Sequence, residues 1–413
     1  MSYTTSASSD ATAPPLPVFD IEIKDLAGGL IRLCVTAETA VGNVKRRVFE
    51  QRRNFVVHLQ VLTEMQADGE FTVLADNDRT LGSYGVVSER MLCVVVQDGF
   101  CGGELVCTFG SLSSDISLFS RFSHLVPSED SGVGQFSGPC GMCVSPDGEH
   151  FFVVDSENHR IQVVRVSDGA HVRTIGSKGS GPGQFNYPSY VCLSLDGTLL
   201  FVADNQNCRV QVLCASDGEY MHTIGSHGRG DGQFRNPRGL CLSPDGEHLF
   251  VVDSYNNRVQ VVRVSDGEYM RTIGSKGSGP GQFNYPEGLC LSPDGEHLFV
   301  ADCNNHRVHV FRAGDGSHVR SIGSLGSGVG QFSSPYDVCV SPSGEWLFVV
   351  DCNNHRVQVL RTSDGEYMHT IGSKGRSDGK FYCPYGVCLS PDGNLLFVTD
   401  TGNHRVQVFT SGV

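Results

Sequence analysis

The sequence predicts a mainly β protein: a closed propeller of six four-stranded blades, preceded by a small α+β domain. Three observations predict it. Gly-Gln-Phe, with proline three residues later, recurs with its phenylalanine at Phe136, Phe185, Phe234, Phe283, Phe332 and Phe381, at a constant step of 49 residues. Only the middle residue changes, to Lys380 in the last copy. Within each step four short apolar stretches are separated by turns such as Ser243-Pro244-Asp245-Gly246 and Ser265-Asp266-Gly267. Proline presets φ in such turns and glycine takes positive φ. Four strands in a unit of this length form a propeller blade. Finally, the array is offset. Val413 comes 32 residues after Phe381, too early for a fourth strand, while Gly103–Ser111 copies the missing strand (compare Gly218–Ser226). A strand at 104–111 that pairs with the last blade closes the ring and removes the exposed edges of an open array.

Taken in order, residues 1–16 are rich in Ser, Thr, Ala and Pro and are expected to form a disordered tail. The small domain spans 17–98. Phe19–Ile23 alternates as a strand, Ala27-Gly28-Gly29 supplies a turn and Leu30–Val35 is its return. Val41, Val44, Val48 and Phe49 fall at helical spacing, which predicts a helix from Ala40 to about Gln51. Further strands are expected near Leu59–Leu62, Phe71–Leu74 and Met91–Val96. Residues 112–131 form an insertion before the first complete repeat and carry Ile116, Leu118, Phe119 and Phe122. In the third repeat the predicted strands are Leu240–Ser243, His248–Asp253, Arg258–Val264 and Tyr269–Ser275.

Two resemblances follow from these residues. Ile21–Gly28 resembles the first hairpin of ubiquitin, Ala40–Lys45 the start of its helix, and Asp78–Tyr84 (DRTLGSY) a further stretch. The resemblance implies a ubiquitin-like, β-grasp domain whose apolar binding patch maps onto Leu26, Val61, Cys93 and Val95, with cysteine at Cys93 where the family has histidine. It implies ubiquitin receptors or proteasome components as partners. Gly102-Gly103 is similar to a conjugation tail, but Gly103 belongs to the repeat strand and no free Gly-Gly terminus is present. In the propeller, Asp-x-x-Asn-x-Arg (Asp155, Asn158, Arg160 and five copies) links the second and third strands and reads Asn-His-Arg in four copies. That resembles the NHL repeat over 104–413.

Composition limits the function classes. The net charge is −14, divided as −4 over residues 1–103 and −10 over 104–413, which lacks the basic footprint of a nucleic-acid binder. No run of 18 apolar residues occurs, so no membrane span is expected. The N-terminus lacks a charged-then-apolar signal pattern, which points to the cytosol or nucleus. Six of the 16 cysteines (Cys143, Cys192, Cys241, Cys290, Cys339, Cys388) share one slot, seven residues after each phenylalanine, and are read as small packing hydrophobes. Cys140 and Cys143 form a CxxC without a second pair at zinc spacing. No metal or cofactor is expected.

The repeated polar residues are read as structural, because a site needs asymmetry. Variation concentrates beside the phenylalanine and proline, at Tyr187, Tyr190, Arg235, Arg238, Tyr285, Glu287, Tyr336, Asp337, Tyr382 and Tyr385, and at Tyr255 inside an Asp-x-x-Asn-x-Arg loop. Strand direction puts both loop sets on one face. Tyrosine and arginine gathered on one face fit a surface that binds a protein partner. The expectation is a non-enzymatic adaptor, since no catalytic constellation appears and no RING-type Cys/His set supports intrinsic ligase activity. By resemblance, NHL propellers often deliver substrates to ubiquitin ligases, which links the chain to ubiquitin-dependent turnover. The alternatives are single-stranded RNA binding on the same face, against which the acidic charge weighs, and a propeller hydrolase or lyase.

Overall fold

The structure, a computed structural model, describes Gly132 and residues 134–411, together with the backbone of six strands earlier in the chain. The chain divides into two compact units, Met1–Phe100 and Cys101–Val413. In the first, Val18–Lys24 runs antiparallel to Leu30–Thr36 and parallel to Leu92–Asp98. Val57–Met65 pairs antiparallel with both Leu92–Asp98 and Phe71–Leu74. The tail at 1–16, the helix expected over 40–51, the insertion at 112–131 and the side chains of Leu26, Val61, Cys93 and Val95 lie outside the described residues.

The second unit is a ring of six four-stranded antiparallel sheets. Blade 3 is representative: Pro237–Leu242 lies at the hub, followed outward by His248–Asp253, Arg258–Arg263 and Tyr269–Ile273. Its hub strand begins three residues before the expected Leu240, because Pro237 still pairs with Asp253 across a bulge. Blade 6 has Val387–Leu389, Leu395–Asp400 and Arg405–Thr410, and its outermost strand is Leu105–Phe109. Phe109 lies opposite Val406 and Leu105 opposite Phe409. Hub strands pack in sequence around the ring, and Val387–Leu389 packs on Pro139–Val144 of blade 1.

The core lies between blades rather than within one. Each wedge takes side chains from two neighbours; Phe250 and Val252 of blade 3, for example, pack with Leu298 and Val300 of blade 4. The last wedge joins Phe397 and Val406 to Phe151 and Val153 of blade 1, so the ring is apolar throughout its circumference. The repeated phenylalanine is the link between blades: Phe185, Phe234, Phe283, Phe332 and Phe381 are fully buried. Each ring covers a glycine such as Gly176, whose φ is +83° and where a β-carbon would overlap the Phe185 ring. Glycine is needed there for both reasons. The rim strands carry a bulge at Val172, Met221, Met270, Val319 and Met368, all exposed. A bulge distorts the free edge and discourages pairing with another sheet.

Candidate functional site

The Asp-x-x-Asn-x-Arg residues and the Gly-Gln-Phe stretch form one network. In blade 2 the buried Asp204 carboxylate accepts hydrogen bonds from Asn207 Nδ2 (2.8 Å), Arg209 Nε (2.8 Å), Gln211 Nε2 (3.2 Å) and the Asn186 N–H (2.8 Å). Arg209 Nη2 donates onward to the carbonyls of Gly181 (2.8 Å) and Gln184 (3.0 Å). A charge out of water is tolerable only with its lone pairs satisfied, and this carboxylate has them satisfied. The loop ahead of each phenylalanine is thereby tied to the second and third strands of its own blade. Blade 4 places His309 in the glutamine slot, with Nε2 3.0 Å from the Gln282 carbonyl.

Histidines of the Asn-His-Arg triplet join one blade to the next. His159, at φ +56°, accepts at Nδ1 from the Tyr187 N–H (3.0 Å); His306 accepts from Ser334 (3.0 Å), His355 from Cys383 (3.0 Å) and His404 from Gly138 (3.1 Å). Asn257 does the same through Oδ1 for Tyr285 (2.9 Å). An accepting Nδ1 requires a neutral ring. Burial and the nearby Lys178 and Lys374 hold His159 and His355 below the ordinary imidazole range, which suits that role.

The two variable loop sets do share one face, since they hydrogen-bond directly: the Tyr255 N–H donates to the Arg235 carbonyl (3.1 Å) and the Gly402 N–H to that of Tyr382 (2.8 Å). The eleven predicted residues separate into two groups on it. Tyr187, Tyr255, Tyr285 and Tyr382 are exposed, between 42% and 47%, and Arg235 is partly exposed beside them. Their rings pair across blade seams: Tyr255 with Tyr285 at 5.4 Å, His159 with Tyr187 at 4.5 Å, and Tyr382 stacked on His355 at 5.3 Å.

The other six turn inward. Tyr190, Glu287 and Asp337 are buried, so the expectation that they contact a partner is corrected: they close the propeller axis. The Tyr190 hydroxyl of blade 2 donates to Asp337 of blade 5, at 3.2 and 3.0 Å from its two oxygens. Arg238 of blade 3 donates to the Tyr385 hydroxyl of blade 6, and that hydroxyl donates to Glu287 Oε2 (3.0 Å). Arg238 also forms an ion pair with Glu287 (3.4 Å), and the Tyr336 ring rests 4.8 Å from that of Tyr385. Blades 2 and 5, like 3 and 6, are diametrically opposite. The network therefore crosses the hub.

Burial sets the charges of this group. It raises the Asp337 carboxyl to about 7, against hydrogen bonds from the Val387 and Val338 N–H groups and Tyr190. Burial likewise raises Glu287, opposed by Arg238 and Tyr385. For Arg238 burial alone lowers the pKa, but Glu287 and Tyr385 reverse this and hold it above its ordinary value. A raised carboxyl pKa means that the folded state binds the proton more tightly than the unfolded chain. The stability it contributes is present below the unfolded value near 3.8 and is lost as pH rises through about 7. Asp337→Asn is expected to flatten the fall in melting temperature between pH 5 and 8. An unaltered pH profile in the variant would remove Asp337 as its source.

Below this network the six equivalent cysteines stand at one register, Cys192 opposite Phe201 and Cys241 opposite Phe250. They remain partly accessible, while burial raises all six thiols. A cavity of about 220 Å³ opens on the variable face, lined by Cys140, Ser156, Tyr187, Ser189, Asn205, Gln206 and Arg238. Sequence reasoning missed Cys140 and Ser189, although they share with Arg238 the slot just after the proline. Among the described residues, carboxylates and histidine converge at Asp147, Glu149 and His150 and at Asp245, Glu247 and His248. Both triplets are surface turns in which the aspartate already caps a serine hydroxyl and a backbone N–H.

Residues 136–164, 234–262, 283–311, 332–360 and 381–409 each match the NHL repeat. The propeller carries NHL repeats. Residues 185–213, at the same spacing between matched NHL segments, hold the same aspartate network with Cys208 in the histidine slot. A gluconolactonase from Xanthomonas campestris is similar in structure, at 16% identity and TM-score 0.53, over 67% of this chain and 86% of that one. The likeness is one of fold. Hydrazine synthase from Kuenenia stuttgartiensis aligns at 16% identity and TM-score 0.49, over 69% of this chain and 98% of the other. No curated protein matches the chain. Among the described residues no helix is long and apolar enough to cross a membrane.

Proposed function

We propose that the NHL propeller is a non-enzymatic adaptor that binds a protein partner on the face bearing Tyr187, Arg235, Tyr255, Tyr285 and Tyr382. The observation that carries this reading is the exposure of four tyrosines on one face while neighbouring polar residues are buried. Tyrosine offers a large, stiff, amphipathic contact, and such rings dominate binding hot spots. The ionisable groups of the hub engage one another, through Arg238–Glu287 and Tyr190–Asp337. That favours a binding module over a hydrolase.

The first unit is proposed to be a ubiquitin-like module that ties the bound partner to ubiquitin-dependent turnover. Its support is the strand order, with the first strand antiparallel to the second and parallel to the fifth. One experiment tests both halves. The full chain is expressed with an affinity tag in cells, and the proteins and RNA it retains are compared with those of Tyr255→Ala/Tyr285→Ala. Hot-spot removal is expected to weaken partner retention by at least about tenfold, with the melting temperature unchanged. Retention of salt-sensitive RNA in place of protein would reverse the ranking of ligands. Partner levels that do not respond to a proteasome inhibitor would remove the turnover role but leave the binding face standing.

A further inference from the structure

The blade seams are not equivalent, and one of them carries two thiols. In every repeat a short 3₁₀ turn follows the aspartate, and its first residue is Ser156, Asn205, Ser254, Cys303, Cys352 or Thr401. The residue just before the next blade's proline faces this turn. At the seam between blades 4 and 5 the Cys303 thiol lies beside Ser334. At the seam between blades 5 and 6 the corresponding pair is Cys352 and Cys383, two free thiols close enough to interact. The backbone fixes this approach from both sides. The His355 N–H donates to the Cys352 carbonyl (3.0 Å), and the His355 ring accepts from the Cys383 N–H (3.0 Å).

We propose that Cys352 and Cys383 form a reversible disulfide across this seam, made by exchange with a small oxidised thiol such as glutathione disulfide. Accessibility orders the two steps. Cys383 is partly exposed and Cys352 is buried, so the oxidant meets Cys383 first. The Cys383 thiolate attacks one sulfur of glutathione disulfide, forming a mixed disulfide and releasing one glutathione thiolate. The Cys352 thiolate then attacks the Cys383 sulfur and releases the second. The protein loses two electrons and two protons, the glutathione disulfide gains them as two glutathione thiols, and dithiothreitol reverses the balance. The bond joins positions 31 apart in sequence, which reduces the freedom of the unfolded chain and stabilises the folded one. It also fixes the loop carrying the exposed Tyr382, whose ring stacks on His355.

The test uses the full chain, incubated with glutathione disulfide, alkylated, digested without reduction and mapped by mass spectrometry. The expected product is a Cys352–Cys383 linked peptide pair that dithiothreitol removes, with a melting temperature raised by several degrees in the oxidised protein. In Cys383→Ser both the link and the rise disappear. This variant should fold, because blade 5 already has a serine, Ser334, in that slot at nearly the same φ (53° against 50°). Ser334→Cys is expected to add a second link, to Cys303, at the neighbouring seam. Glutathione left on Cys383 without closure, or Cys352 linked to Cys303 instead, would overturn the proposal.

Discussion

Deleting residues 104–111 is expected to cost the propeller on the order of 5 kcal/mol, a fall in melting temperature of more than about 10 °C. The strand Leu105–Phe109 pairs along the outer edge of Arg405–Thr410 and is, among the described residues, the strand that covers it. Its loss removes a ladder over four residue pairs, each hydrogen bond contributing about 1 kcal/mol net. It also exposes an edge next to Phe409, which is fully buried and packs with Phe381 and Phe348. The deficit reaches the remaining blades because each wedge is shared: blade 6 supplies Phe397 and Val406 to the wedge that completes blade 1. Scanning calorimetry on the full chain and the deletion measures the shift directly. A synthetic 104–111 peptide added to the deleted protein should recover part of it. An unchanged melting temperature would mean that the ring closes by inter-blade packing alone.

The architecture was legible because a 49-residue register repeats its physical requirements six times. A glycine that must clear a phenylalanine ring, and an aspartate that must find four donors, leave the same residues at the same offsets in every copy. The two repeated motifs were readable as structural, but not as one network. Their contact is between residues roughly 25 to 28 positions apart, such as Arg209 with the Gln184 and Gly181 carbonyls, and no local pattern announces that pairing.

The variable residues were legible as a set and not as two groups. Tyr187 and Tyr190 are three positions apart, yet one is 47% exposed and the other buried. Pro188 stands between them, just ahead of the hub strand Tyr190–Leu193, and residues after it enter the axis. Slot-by-slot comparison carried the missing signal. Tyr190 and Asp337 share the second slot after proline, and Arg238 and Tyr385 the first, each pair three blades apart. In a six-membered ring, three blades apart means face to face across the hub.

That crossing is where single substitutions should be most damaging. Arg238→Ala is expected to destabilise the protein by about 3–5 kcal/mol, because it strands the Glu287 carboxylate away from water without its cation. Among the described residues Glu287 keeps the Tyr385 hydroxyl at 3.0 Å, and that hydroxyl loses its own donor from Arg238. Protonation can relieve part of the cost, since burial already raises the Glu287 carboxyl, so the loss should be smaller at pH 5 than at pH 8. The double variant Arg238→Met/Glu287→Leu replaces the pair with apolar groups of similar size and is expected to recover most of the stability. Urea midpoints for the two single variants and the double variant, at both pH values, give the coupling energy. If the double variant were as unstable as the sum of the singles, the pair would not be interacting, and the hub would owe its order to packing around Tyr336 and Tyr385. If coupling appears while partner binding through Tyr255 and Tyr285 persists below the melting point, the hub network and the binding face are separate devices built from adjoining slots of one repeat.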